Sequence, residues 1–291
     1  MLISIIIPYY KNSKEIKRAL QGVFAQSYRA FEVIIVNDAS PDWQEAEPII
    51  NSFKEVRLKT ISHESNKKGA AARNTGIKAA KGNYIAFLDA DDEWLPNHLS
   101  NLMQVFNSET LDVIYTSCTV LSVNDFSYTV PKSPLDKSKN IGDYLFADEG
   151  MMVTPGLMVK SNLAKEILFN EDLVRHQDYD FLLRLEHANA KFAWSKESTV
   201  IVHWENNIVD KKGGTWNYSL NWYQQYKKYL SSRARTHFIL KFVVIVNFKK
   251  RHILKGFKYF FKYCKPWHLS LKNYYFLIST ILFGKVIIPK L

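Results

Sequence analysis

The chain has 291 residues, 47 % of them hydrophobic and 23 % charged, which suits one large α/β domain with an appendage, or two modest domains, and excludes a disordered chain. Its two cysteines, Cys118 and Cys264, exclude a disulfide framework and point to a reducing compartment. The net charge of +11 is unevenly spread: residues 211–291 hold 17 Lys and Arg with no Asp or Glu, while residues 1–210 carry 22 basic and 28 acidic side chains. This divides the chain into an acidic-leaning body, residues 1–210, and a basic tail, residues 211–291.

The first apolar run, residues 3–7, has the pattern of a strand buried on both faces. No basic segment precedes it and Pro8 ends it early, so it does not read as a secretory signal. Ser13 is the expected cap of a helix carrying Ile16, Ala19, Leu20, Val23 and Phe24 at helical spacing. Residues 31–36 form a second strand and end in the turn cluster Asn37-Asp38-Ala39-Ser40-Pro41-Asp42. A third strand is expected over 56–61, an alanine-rich helix over 69–80, and a fourth strand over 84–88 that runs into Asp89.

Strands alternating with helices of about 10–15 residues predict βαβ units and a mostly parallel sheet. Ligands of such sheets sit at the carboxyl ends of the strands, where polar clusters occur here at 9–12, 37–40 and 89–92. Further on, strands are expected at 111–115, 119–123 and 199–202, a polar loop at 124–140, and a helix at 178–187. No internal repeat is present.

Three carboxylates, Asp89, Asp91 and Asp92, follow the fourth strand. Carboxylates this close repel, and a hard divalent cation such as Mn²⁺ or Mg²⁺ relieves the repulsion. A solvated acidic turn capping a helix near Pro96 uses the same residues. Asp38 can accept a hydrogen bond from the imide N–H of uracil with Tyr10 flanking the base, or close an Asx-turn. Arg73, among small alanines, suits a phosphate-facing helix or a surface position. Asp178 stands where a helix begins, which favours the ionised carboxylate a general base requires and equally a helix cap.

Ile5-Ile6-Ile7-Pro8-Tyr9-Tyr10, Val36-Asn37-Asp38-Ala39-Ser40, Arg73-Asn74-Thr75-Gly76, Leu88-Asp89-Ala90-Asp91-Asp92 and Gln177-Asp178, in this order over residues 1–205, resemble the motifs of the family 2 glycosyltransferases. The resemblance implies a GT-A, nucleotide-diphospho-sugar transferase fold: Rossmann-like, with helices flanking the sheet. It implies Asp38 on uracil, Arg73 near the diphosphate or base, Asp89 at the ribose, Asp91 as metal ligand and Asp178 as base on the acceptor hydroxyl. Pro8, Tyr10 and Ala90 complete the donor-binding set. The family has Glu where this chain has Gln177. His203 resembles a histidine that completes the metal shell in some members, and 211–214 a loop closing over the diphosphate.

The activity so implied is inverting transfer of one sugar from a nucleotide-sugar, UDP-linked by the Asp38 argument or thymidine-linked through the same imide, to a glycan or lipid-linked acceptor in surface polysaccharide synthesis. The absence of Gln-x-x-Arg-Trp and of multiple spanning segments separates the chain from processive synthases. The alternative is a catalytically silent nucleotide- or glycan-binding protein at the membrane periphery.

The tail interleaves its 17 cations with 19 aromatics. Its apolar runs, 238–248 and 274–283, fall well short of the about 20 residues a bilayer requires. They fit interfacial helices on an anionic membrane, placing the protein on the cytoplasmic leaflet. A helical cap on the body or an oligomerisation element would use the same pattern. No nucleic-acid-binding motif accompanies the charge.

Overall fold

The computed structural model describes residues 1–106, 111–122, 127–204 and 215–283. Its opening third keeps the predicted strands and helices and adds one helix, α2, that the sequence did not predict: β1 (Ile3–Tyr9), α1 (Ile16–Phe24), β2 (Phe31–Asn37), α2 (Trp43–Asn51), β3 (Leu58–Ser62), α3 (Lys68–Ala79) and β4 (Tyr84–Phe87). β5 (Glu93–Trp94), α4 (His98–Val105), β6 (Val113–Ser122), β7 (Ser127–Val130) and α5 (Ile141–Phe146) follow. Then come β8 (Leu157–Lys160), α6 (Ser161–Ile167), α7 (Gln177–His187) and β9 (Phe192–Trp204).

Among the described residues nine strands join one sheet, ordered β3-β2-β1-β4-β8-β6-β9-β5, with β7 on β6. β1, β2, β3 and β4 are mutually parallel. β8 runs against both β4 and β6, which returns β6 and its parallel partner β9 to the first direction. Only β5, β7 and β8 oppose the rest. Ile5 and Ile7 of β1 and Val33 and Ile35 of β2 are fully buried beneath Ile16, Leu20 and Val23 of α1, and Ile6 and Ile34 are fully buried on the opposite face, where α3 meets Ile6, the double coverage expected of parallel strands.

Several expectations need correction. Residues 111–123 do not form two strands: β6 is continuous, because Thr116 and Ser117, which look like a break, are buried with their hydroxyls bonded to the carbonyls of Glu197 and Pro131. Within the expected loop 124–140, residues 127–130 form an edge strand that alternates between exposed and half-buried positions, so its composition reads as polar. The expected strand at 199–202 is the end of the much longer β9. Helix α2 was hidden by its interior Pro48.

Ser13 does not cap α1. The helix starts at Ile16 without a side-chain cap. Ser13 instead donates from its amide to Asp42 (3.0 Å) and from its hydroxyl to Glu45 (2.9 Å), tying the loop after β1 to the start of α2.

The chain divides into two compact units, residues 1–135 with 151–208, and residues 136–150 with 209–291. The second takes in α5 as well as the tail. The tail contributes α8 (Trp216–Tyr226), α9 (Ser232–Ile239), α10 (Ile245–Lys249), α11 (Ile253–Tyr263) and α12 (Leu271–Phe283), with a π-helical stretch, Leu240–Val244, joining α9 to α10. α5 packs on α9 through Phe146 and Phe238, centroids 5.1 Å apart, and Arg233 donates to Asp148 at 2.6 Å. No helix among the described residues is long and apolar enough to cross a membrane.

Candidate active site

Because β2, β1 and β4 are adjacent and parallel, the loops leaving them share one edge of the sheet, where open α/β sheets bind ligands. Tyr10, Asp38 and the Asp89–Asp92 run all lie there. Non-glycine residues with positive φ cluster around the same edge: Lys11 (58°), Ala39 (51°), Lys68 (72°) and His176 (62°). Such strained conformations persist where surrounding structure holds a functional loop in place.

Pro8 lies inside β1 opposite Val36. Its missing N–H costs nothing there, since the pairing with β4 has already ended at Ile6 and Phe87. Tyr10 just beyond is exposed. Ala90 is buried in the core.

Asp38 is almost fully buried, and its carboxylate accepts from the amides of Lys67 (2.8 Å) and Lys68 (2.7 Å) at the start of α3. His63 Nδ1 lies 2.7 Å from the same carboxylate, and its Nε2 lies 2.8 Å from the Thr75 hydroxyl. The Asx-turn of this loop belongs to its neighbour, since Asn37 Oδ1 accepts from the Ser40 amide at 2.9 Å.

Helix α3 is seated tightly on β1 by Gly76, where an added Cβ would come within 2.4 Å of the Ile6 side chain. One turn earlier, Arg73 projects toward the carboxylates. Its Nη2 lies 2.5 Å from Asp89 Oδ1, its Nη1 lies 3.4 Å from Gln177 Oε1, and its guanidinium stands 5.5 Å from the centroid of Phe169. Asn74 is structural: buried, it exchanges hydrogen bonds with the Phe169 backbone (2.7 and 2.9 Å) and donates to Glu171 (2.8 Å).

Asp89, Asp91 and Asp92 bring carboxylate oxygens within 4.8 Å of one another. The set is all oxygen and anionic, which fits Mg²⁺ or Mn²⁺ and not a soft metal. Burial first, then repulsion from Asp89 and Asp91, pushes the Asp92 carboxyl up to about 9 against the opposing charge of Arg18. Asp92 does not cap the helix after Pro96. α4 begins at His98 without a side-chain cap, and Asp92 instead accepts the His203 amide at 3.0 Å.

The His203 imidazole lies outside that three-carboxylate group. Its Nε2 is buried without a hydrogen bond, 3.9 Å from Glu93 Oε2, and burial lowers its pKa, so it presents a neutral ring. Arg18 donates to the Asp91 carbonyl and stands 3.4 Å from Glu93. Neither Arg18 nor His63 was legible in the sequence, because each acts from a position outside every motif. Residues 211–214 lie outside the described residues.

Asp178 enters from the first turn of α7, whose N-cap is the left-handed His176. Burial raises its carboxyl pKa, opposed by hydrogen bonds from backbone amides and by the charge of Arg73. Arg73 thus reaches both the carboxylate loop and the Gln177-Asp178 turn.

The sequence profile of Glycosyl transferase family 2 matches residues 4–168. The chain belongs to this family. As a family 2 glycosyltransferase it is similar to the amylovoran biosynthesis glycosyltransferase AmsB of Erwinia amylovora, 32 % identical over 238 residues and 79 % of each chain. Its GT-A fold is shared with S. aureus TarS 1–349 in complex with UDP-GlcNAc (TM-score 0.62, 19 % identity, covering 99 % of this chain and 82 % of that one). The mannosyltransferase PcManGT of Pyrobaculum calidifontis, in complex with GDP-Man and Mn²⁺, has it too (TM-score 0.57, 16 % identity, covering 97 % and 73 %). The protein is therefore a glycosyltransferase with relatives in polysaccharide biosynthesis.

Proposed function

We propose that this glycosyltransferase moves one sugar from a UDP-sugar to a hydroxyl of a glycan or lipid-linked acceptor, with inversion at the anomeric carbon, in the building of a surface polysaccharide. The observation that carries the reading is Arg73, which bridges Asp89 and Gln177 beside Asp178 and so offers a cation for the diphosphate between a carboxylate cluster and a candidate base.

Asp38 and Tyr10 would receive the base, with Pro8 and Ala90 shaping the loops around it. Asp89 would face the ribose. Asp91, with His203 as a second candidate, would hold Mn²⁺ or Mg²⁺, which when bound offsets charge on the departing diphosphate. Asp178 takes the proton of the acceptor hydroxyl as that oxygen bonds to the anomeric carbon. The bond from that carbon to the diphosphate oxygen breaks in the same step, and the nucleoside diphosphate leaves with the electron pair. A carboxyl pKa raised by burial suits Asp178 to this work, because a base is most effective when its pKa approaches the working pH. A single displacement inverts configuration. The UDP-GlcNAc of TarS and the Mn²⁺ of PcManGT support the donor class and the cation. The basic second unit is read as the part that brings the enzyme to a membrane carrying its acceptor.

The test is a panel of nucleotide-sugars with Mn²⁺, read first by melting temperature, since a ligand bound only to the folded state raises it, and then by transfer. UDP-sugars are expected to give the largest rise. A rise confined to guanosine-linked sugars would remove the uridine assignment, and hydrolysis or transfer with retained configuration would remove the single displacement.

A further inference from the structure

The second unit leaves two helices with apolar faces turned to solvent. On α11, Leu254 (87 % exposed), Phe257 (39 %) and Phe261 (76 %) follow one another at i, i+3 and i+7. On α12, Leu271 (89 %), Tyr275, Ile278 (56 %) and Leu282 (62 %) follow at i, i+4, i+7 and i+11. Each set is a single stripe along its helix. Trp267, 75 % exposed, stands in the short link between them. Soluble surfaces scatter single apolar residues; continuous stripes on successive helices mark a contact surface.

The inner sides of these helices are already used. Gly256 lets α11 approach so closely that an added Cβ would come within 2.2 Å of the Phe248 ring of α10, and Phe257, at the margin of the stripe, touches the same ring edge-on at 5.2 Å while keeping its outer side exposed. On α12, Leu277, Ser279 and Thr280 are buried. The exposed stripes are therefore the outward faces of packed helices, and not core residues lacking a place.

The charge beside them selects the occupant. Lys255, Lys258 and Lys262 repeat the spacing of the α11 stripe one residue later, about 100° round the helix, and all three are exposed. Lys265 follows, 5.8 Å from the Trp267 ring centroid. Lys272 pairs with Glu149 at 2.6 Å and is left out of this set. No acidic residue occurs anywhere in 211–291, so a second copy applied to this face would set lysine against lysine. An anionic bilayer offers the complement: phosphates for the ammonium groups, acyl chains for Phe261 and Leu271, and the boundary between them for Trp267. Helices of 11 and 13 residues lie along such a boundary and do not cross it.

We propose that α11 and α12 form a membrane-docking face, inserted through the Leu254–Phe261 and Leu271–Leu282 stripes and Trp267 and anchored by the α11 lysines on anionic headgroups. This deepens the reading that the enzyme serves a membrane-bound acceptor, and it rests on that reading only for its purpose.

The test uses the full chain with vesicles of phosphatidylcholine, with or without about one third phosphatidylglycerol. Sedimentation with the anionic vesicles is expected, weakened about tenfold or more in roughly 1 M salt, where screening shortens to about 3 Å. A variant combining Phe261→Ser, Trp267→Ser, Leu271→Ser and Ile278→Ser, all at solvent-facing positions, is expected to lose vesicle binding about tenfold or more. Its melting temperature, and its transfer to a water-soluble acceptor, should stay unchanged. A blue shift of tryptophan emission on vesicle addition should disappear in Trp267→Phe. Equal binding to both vesicles, full binding by the fourfold variant, or an unchanged blue shift in Trp267→Phe would overturn the proposal. So would a parent dimer that the fourfold variant converts to monomer without either binding vesicles. Loss of transfer in the parent itself, with vesicle binding as expected, would count against the catalytic reading alone.

Discussion

The Arg73 guanidinium lies 2.5 Å from Asp89 Oδ1, an ion pair with only 12 % of the arginine side chain exposed. It fixes helix α3 to the carboxylate loop after β4 while the second arm reaches Gln177. The planar fork presents its two Nη groups to the two partners in a fixed geometry that the point-like ammonium of a lysine does not reproduce. Arg73→Ala is therefore expected to weaken nucleotide-sugar binding about tenfold or more, a loss of about 1.4 kcal/mol, and Arg73→Lys to fall between it and the parent. Calorimetric titration with the donor measures both. Unchanged affinity in Arg73→Ala would take Arg73 out of the donor site.

Asp178→Asn keeps the shape of the side chain and removes its capacity to take a proton. Transfer is expected to fall by about 10²–10⁴, the usual share of a general base, while donor affinity stays within about twofold. Steady-state transfer paired with donor titration separates the two effects. Near-normal turnover would end the assignment of Asp178 as base.

If Asp91 holds the cation, chelation should stop transfer and added Mn²⁺ or Mg²⁺ should restore it. Asp91→Ala should not recover at any practical metal concentration. His203→Ala should need more metal for half-maximal activity if its neutral ring is a ligand, and the same amount if it is not. Full transfer in excess chelator would remove the cation from the scheme.

His98 gives a pH dependence of stability unconnected with catalysis. It is fully buried against Trp94, ring centroids 4.2 Å apart, with Nδ1 on the Thr199 hydroxyl and Nε2 unpartnered. Burial pushes its pKa down to about 3. Folded His98 is thus neutral across the range where the unfolded residue, with a pKa of about 6.5, takes up a proton. The unfolded state binds more protons as pH falls below about 6.5, so stability declines down to pH 3 and the decline then levels off. From pH 7 to pH 5 the contribution of His98 is a loss of about 2 kcal/mol. Denaturant unfolding of the parent and of His98→Gln at both pH values isolates it. An identical pH difference in the two proteins would show that His98 does not carry the effect.

What could be read from the sequence follows from how local each signal is. β1, β2 and β4 were legible because their apolar runs are continuous and polar turns of Asn, Asp or Gly adjoin them, whereas the half-polar β3 rested on its place in the alternation. The family motifs named Asp38, Arg73, Asp89 and Asp178, but not the contacts that orient them. His63 lies outside the motifs and meets Asp38 across 25 positions. Asp92 looked like a cap for the next helix and instead accepts an amide 111 positions later. β6 read as two strands because Thr116 and Ser117 are polar, and only their partners on β9 and the loop after β7 make them buriable. α5 belongs with a tail that begins far beyond it, and no periodicity carries that information.

The short strand β5 has a consequence for the order in which the site matures. Glu93 and Trp94 follow the three carboxylates directly, and among the described residues their strand partners are Ile201 and Val200 of β9. A ribosome would thus release β1 to β4, already able to pair, roughly a hundred residues before the downstream end of the carboxylate loop acquires its partner. Contacts of such long sequence separation form late, after their loop-closure entropy is met. A nascent or truncated chain ending before β9 would carry β1 to β4 with the carboxylate loop held by Arg18 and Arg73 but with its downstream end, β5, unpaired. The final fixing of the candidate metal loop should therefore arrive with residues 192–204, beyond the 4–168 stretch by which the family is recognised.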